Sequence, residues 1–137
     1  MSYLLDTNVL SETRKRQPDA RVTDWTTETL PERMHVSVLT LGEIEQGIAR
    51  IRGRGDQQQA AGLERWLREV EQGFADRILP VTLSVASAWG RQQYARPLPV
   101  IDALIAATAR AHELTVVTRN VKDFERSGVQ VLNPFGD

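Results

Sequence analysis

The sequence has no cysteine among its 137 residues, which excludes disulfides and any metal site built on thiolate. Histidine is nearly absent too, and His35 and His112 are too few for a zinc cluster. Any resident metal must therefore be held by oxygen ligands. No apolar run approaches the length of a bilayer span, so no membrane segment is expected. The first apolar stretch is short, meets Asp6 and lacks a basic leader, unlike a secretory signal, so a cytoplasmic location is expected. Basic excess is missing as well: 17 basic against 18 acidic residues leave a net charge of −1. The chain lacks the overall basic footprint of many nucleic-acid binders. Lysine is scarce, since 15 of those 17 basic residues are arginine, several of them in Arg14-Lys15-Arg16 and at Arg50, Arg52 and Arg54. Planar guanidinium forks suit bidentate contact with phosphate, although the same clusters also read as solvated faces.

What is present suits one domain over residues 1–137, with 41% hydrophobic and 26% charged residues. Tyr3-Leu4-Leu5 is a short apolar run ending at Asp6, which reads as a buried strand with an acid at its tip and a helix starting at once. Val22 and Trp25 share a face of a second helix over 20–30, closed by Pro31. Met34 to Val38 reads as a second strand. Leu41, Ile44, Ile48 and Ile51 then recur at helical spacing, and so, after the Gly53-Arg54-Gly55 turn, do Ala60, Leu63, Leu67, Val70 and Phe74. These two helices are expected to pair as a hairpin. Ile78 to Val81 is a third strand, placed by Pro80 at a sheet edge or strand end, and Ser84 is the expected cap of a helix through Tyr94. Pro99 to His112 reads as a buried helix, Thr115 to Thr118 as a fourth strand, Asn120 to Phe124 as a helical turn, and Val129 to Leu132 as a final strand. Alternating strands and helices imply an α/β fold, a parallel sheet covered on both faces. Trp25, Trp66 and Trp89 fall within helical patterns and read as core or interface before base-stacking.

Ligands of open parallel sheets bind outside the carboxyl ends of the strands, so each acid arriving there is a candidate. Asp6 is the first, with helix capping by Asp6 or Asn8 as its structural alternative. Glu43 follows the second strand, where Thr40-Leu41-Gly42-Glu43 also reads as a capping box, and Gly47 one turn on leaves space beside it. Asp102 opens the buried helix, favoured by the helix dipole yet set against an apolar body where a carboxylate wants a partner. After the fourth strand come Asn120 and Asp123, whose spacing also resembles a cap. Oxygen donors from separate strand ends describe a Mg²⁺ or Mn²⁺ site able to activate water and stabilise charge on a phosphodiester. Clustered carboxylates repel, so at least one should have a raised pKa.

Four stretches in this order resemble the motifs of PIN-domain nucleases and, more narrowly, of VapC- and FitB-type toxins of bacterial toxin–antitoxin pairs. They are Leu5-Asp6-Thr7-Asn8-Val9-Leu10-Ser11, Ser37 to Ile44, Pro97 to Ala109, and Val117-Thr118-Arg119-Asn120 through Asp123-Phe124. The likeness covers nearly the whole chain, including Asn133-Pro134. It implies a PIN-like three-layer α/β/α sandwich with a four- to five-stranded parallel sheet, and a Mg²⁺- or Mn²⁺-dependent endoribonuclease. Asp6, Glu43 and Asp102 match the family's acidic metal ligands, and Thr118 a frequent polar neighbour. Many relatives carry Asp where this chain has Asn120, which leaves Asn120 or Asp123 as the fourth catalytic residue and one or two ions open. The resemblance also implies a homodimer, an RNA substrate and a small VapB/FitA-like antitoxin whose tail blocks the active-site groove. A structure-specific DNA nuclease, or a catalytically silent nucleic-acid-binding domain, is the alternative. Receiver and haloacid-dehalogenase readings fail for want of an acidic partner after Asp6, where Thr7 and Asn8 stand.

Overall fold

The computed structural model describes residues 1–136; residue 137, the end of the expected domain, lies outside the described residues. Five strands, β1 (Tyr3–Leu5), β2 (Met34–Ser37), β3 (Ile78–Leu79), β4 (Thr115–Val117) and β5 (Val131–Leu132), form one sheet in the order β3-β2-β1-β4-β5. Every pairing is parallel. Between them run α1 (Thr7–Glu12), α2 (Ala20–Glu28), a 3-10 turn (Pro31–Arg33), α3 (Val38–Gly53), α4 (Gln57–Gly73), α5 (Leu83–Arg91), α6 (Val100–His112) and α7 (Val121–Glu125).

Strand alternation builds the two cores. Leu5, Val36 and Val117 point to one face and join Val22, Ile44, Ile48, Ala60, Leu67 and Val70 from α2, α3 and α4. Leu4 and Val116 point to the other and meet Ile105, Ala106 and Ala109 of α6 with Phe124 of α7. Each fully buried Leu or Val contributes roughly 1.5–3 kcal/mol of transfer free energy, so the short central strands are held mainly by what covers them. The small residues Ala103, Ala106, Ala107 and Ala109, all buried, let α6 lie close on the sheet. The expected hairpin of α3 and α4 forms, turning at Gly55, whose φ of +91° suits glycine, and starting α4 at Asp56, whose Oδ1 accepts from Gln59 N at 3.1 Å.

Several expected boundaries shift for identifiable reasons. β2 stops at Ser37 because its hydroxyl accepts from Leu39 N at 3.0 Å and caps α3, so Val38 opens a helix where a strand was expected. The cap of α5 is Thr82, with Oγ1 accepting from Val85 N at 3.1 Å, not Ser84. That helix ends at Arg91, because Gln92 turns extended ahead of the Pro97 loop, and does not reach Tyr94. β3 lies at the sheet edge, as Pro80 indicated.

Candidate metal and active site

β1 and β4, side by side at the middle of the sheet, carry Asp6 and Thr118 at their carboxyl tips. Asp6 N donates to Val117 O at 2.9 Å, and Thr118 N to Leu132 O at 3.0 Å, so the sheet's own ladder fixes both positions. The Asp6 carboxylate is buried and well supplied with donors. Its Oδ1 accepts from Thr7 N at 2.9 Å, and its Oδ2 accepts from Thr118 Oγ1 at 2.8 Å and from Asn8 Nδ2 at 3.4 Å. Asp6 thus caps α1 while its second oxygen is held at the β4 tip. Burial pushes its pKa up, the bonds from Thr118 and Thr7 pull it back, and the charge of Glu43 adds a further upward push.

Glu43 arrives from α3, but not as the partner in a capping box. With Ser37 as the cap, Glu43 is the sixth residue of the helix, and Thr40 is a fully buried residue whose Oγ1 has no hydrogen-bond partner. The carboxylate turns instead to α1, where Thr7 Oγ1 donates to its Oε1 at 2.5 Å. Thr7, the first residue of α1, therefore holds both acids, Asp6 through its backbone N–H and Glu43 through its hydroxyl.

Asp102 is the third residue of α6, which starts after Pro99 without a side-chain cap. Burial raises its pKa to about 6, and the charges of Asp6, Glu43 and Asp123 push the same way. No hydrogen-bond donor or cation pairs with its carboxylate among the described residues. The charges that reach it are those of the other acids.

Asn120 and Asp123 form the fourth corner. Asn120 sits at the N-cap position of α7, but its side chain makes no cap bond; Nδ2 donates to Asp123 Oδ2 at 3.1 Å, and its backbone N donates to Thr118 Oγ1 at 2.9 Å. Asp123 Oδ1 also receives Arg126 Nη1 at 3.3 Å, and Arg126 Nη2 donates to the carbonyl of Arg96, tying α7 to the loop that enters α6. Asp123 is the more committed of the two, being occupied on both oxygens.

The structure thus brings the charges of Asp6, Glu43 and Asp123 to bear on Asp102, but among the described residues no three His, Cys, Asp or Glu side chains stand together closely enough to enclose an ion. Like-charge repulsion opposes that convergence. The donor chemistry fits a hard divalent cation: oxygen ligands alone, and one acid, Asp102, without a counter-charge. Two contributors were under-read in the sequence. Thr7 is the hydrogen-bond bridge to Glu43, and Asn8 braces the β1 and β4 tips, donating to Thr118 Oγ1 at 3.3 Å while its Oδ1 accepts from Arg119 N at 3.2 Å. The available signal was their polarity directly after a buried strand end.

Comparison with known proteins identifies the family. The PIN domain family model matches residues 3–129. The plasmid stability protein StbB of Pseudomonas syringae pv. tomato is 36% identical over 96% of this chain and 97% of its own length. Toxin FitB of Neisseria gonorrhoeae is 34% identical over 98% and 99%, and the VapC ribonuclease Y4jK of Sinorhizobium fredii 31% identical over 96% of each. Among solved structures, FitAcB from Neisseria gonorrhoeae superposes with a TM-score of 0.89 at 34% identity, covering 98% of this chain and 99% of that one. A toxin–antitoxin complex from Klebsiella pneumoniae superposes at 0.67 with 26% identity over 97% and 98%. By sequence, by fold and by the acids at the carboxyl edge of its sheet, the chain belongs to the PIN-domain family, among the relatives of the VapC and FitB toxins.

Proposed function

We propose that this protein is a Mg²⁺- or Mn²⁺-dependent endoribonuclease, the toxin of a type II toxin–antitoxin pair, with the whole chain acting as one PIN domain. The observation that carries the reading is the Asp102 carboxyl, raised to about 6 by burial and by three other acids, with no protein cation or donor to relieve it. A carboxylate kept in that condition favours a site whose counter-charge comes from a bound ion.

Asp6, Glu43 and Asp102 would hold the ion, and Asn120 or Asp123 would complete the site. Bound there, a divalent cation supplies charge stabilisation on a phosphodiester and a hydrolytic water at neutral pH. The chain's own residues do the rest. Thr118, Thr7 and Asn8 hold the Asp6 and Glu43 side chains in place through their hydrogen bonds. Asn120 keeps Asp123 turned inward, and arginines around the edge position the RNA backbone. A VapB/FitA-like antitoxin as partner is supported by relatives that include a named toxin and a named toxin–antitoxin complex. The same reading includes a homodimer, which comes with the likeness to the VapC and FitB toxins. No helix among the described residues is long and apolar enough to cross a membrane.

The test is incubation of antitoxin-free protein with a mixed cellular RNA pool and with flap DNA, in Mg²⁺, Mn²⁺ or EDTA. Discrete RNA fragments that require metal are the expected result. Cutting confined to flap DNA would select the DNA-nuclease alternative, and RNA affinity that survives EDTA without any cutting would select the silent binding domain.

A further inference from the structure

Glu43 faces two ways. On one side it joins the acid cluster, and on the other it forms part of the wall of a 170 Å³ cavity between α1, α3 and α4. The remaining wall is mostly apolar and includes Ile44, Gly47, Ile48 and Trp66. The three tryptophans differ here. Trp25 is packed edge-on against Tyr3, with ring centroids 5.1 Å apart, and belongs to the core, whereas Trp66 is half-buried and lines this opening. At its mouth stands Arg14, exposed, its guanidinium carbon 6.0 Å from the Trp66 ring centroid. Arg14 makes no ion pair among the described residues, unlike Arg52, Arg68 and Arg126. Gly47 lines the cavity, and a Cβ built there would meet nothing within 4 Å, so a larger side chain at this position has room to extend.

A flat aromatic surface, a small apolar slot and an exposed arginine without an ion pair beside the ring are what an unstacked nucleotide needs, the base going into the slot and the phosphate meeting the arginine. The shared Glu43 wall sets this nucleotide next to the acid cluster. We propose that the cavity is a nucleobase subsite, in which a base flanking the scissile phosphate of single-stranded RNA stacks on Trp66 while its phosphate meets Arg14. The proposal rests on the ribonuclease reading above and narrows its substrate to RNA with a base free to leave the stack. Paired RNA, whose bases stay in the helix, cannot fill the slot.

The test uses the full chain carrying Asp6→Asn to prevent cutting, with Trp25→Phe and Trp89→Phe so that Trp66 is the one indole. Labelled octaribonucleotides of adenylate, of uridylate and of abasic ribose phosphate are titrated, following label anisotropy and Trp66 fluorescence together. The base-bearing oligomers should quench Trp66 and bind about tenfold more tightly than the abasic one. Trp66→Ala should remove that gap. Gly47→Leu, which replaces a helical glycine by a better helix former and fills the slot, should remove it while the protein stays folded. Equal binding of base-bearing and abasic oligomers without quenching overturns the subsite and leaves the ribonuclease reading standing, whereas RNA that neither binds nor is cut by the wild type overturns both. If Gly47→Leu leaves RNA affinity unchanged and abolishes binding of the antitoxin, the cavity is a protein site and the proposal is wrong.

Discussion

Thr118 Oγ1 donates to Asp6 Oδ2 at 2.8 Å across 112 residues of sequence, and the same hydroxyl oxygen accepts from Asn120 N at 2.9 Å. One fully buried hydroxyl therefore joins the tips of β1 and β4 to the start of α7. Removing it by Thr118→Val should cost about 1–3 kcal/mol in chemical denaturation, because a buried acceptor and a backbone donor both lose their partner. Asp6 should become harder to ionise, since this bond is the largest influence lowering its pKa. Thr118→Ser should recover most of both effects, and a Thr118→Val protein as stable as wild type would contradict the bridge.

The Asp102 carboxyl titrates at about 6 in the folded protein against an ordinary 3.8. Between those values the native state holds more protons than the unfolded chain. Stability that is fully present below about pH 4 is therefore lost as the pH rises through about 6. Asp102 is only half-buried, so after allowance for solvent screening the loss is on the order of 1 kcal/mol. Urea unfolding in EDTA across this range should show the decline in wild type and much less of it in Asp102→Asn. A wild-type stability that rises from pH 4 to 6 would contradict the sign, once the opposite contributions of Glu12, whose pKa is lowered, and of Asp19, whose pKa is lowered to about 2, are subtracted with Glu12→Gln and Asp19→Asn controls.

Ser37 and Thr40 offer a clean contrast. The Ser37 hydroxyl caps α3, whereas the buried Thr40 hydroxyl has no partner. Ser37→Ala should cost about 1 kcal/mol, and Thr40→Val should be neutral or slightly stabilising. Thermal denaturation of the two variants decides it, and the reverse order would restore the capping box at Thr40 and Glu43.

Asn120→Asp would set a carboxylate where Nδ2 now donates to Asp123 at 3.1 Å. Two acids at that separation resist ionising together, so the metal-free variant should lose about 1 kcal/mol at neutral pH and titrate as a coupled pair. Added Mn²⁺ should restore more stability to this variant than to wild type. Melting curves with and without Mn²⁺ test this, and an unchanged response to the ion would place Asn120 outside the site.

How much of this was legible depended on whether the signal was local. The alternation of Leu4 with Leu5 and of Val116 with Val117 was readable because a parallel strand buried on both faces must be apolar throughout. The four acids were legible as candidates, Asp6 at a strand tip and Glu43, Asp102 and Asp123 within helices, yet the local pattern also suited caps, and only the fold separates the readings. Asp6 performs both tasks, Glu43 is not a cap, and Asn120 occupies the cap position while spending its side chain on Asp123. Thr7 and Asn8 were not legible as site residues because their partners, Glu43 and Thr118, are 36 and 110 residues away. The boundary errors at Ser37 and Thr82 share one cause: a hydroxyl residue a few positions upstream took the capping role.

The central claim is that the carboxyl edge formed by Asp6, Glu43 and Asp102 both holds the divalent ion and cuts RNA. The most direct test measures Mn²⁺ affinity by electron paramagnetic resonance and cleavage of one labelled RNA, side by side, for wild type, Asp6→Asn, Glu43→Gln and Asp102→Asn. The account predicts that each substitution weakens Mn²⁺ binding and removes metal-dependent cleavage while the circular dichroism spectrum stays that of the folded protein. Wild-type cleavage rates in these variants, or cleavage that persists in EDTA, would contradict it.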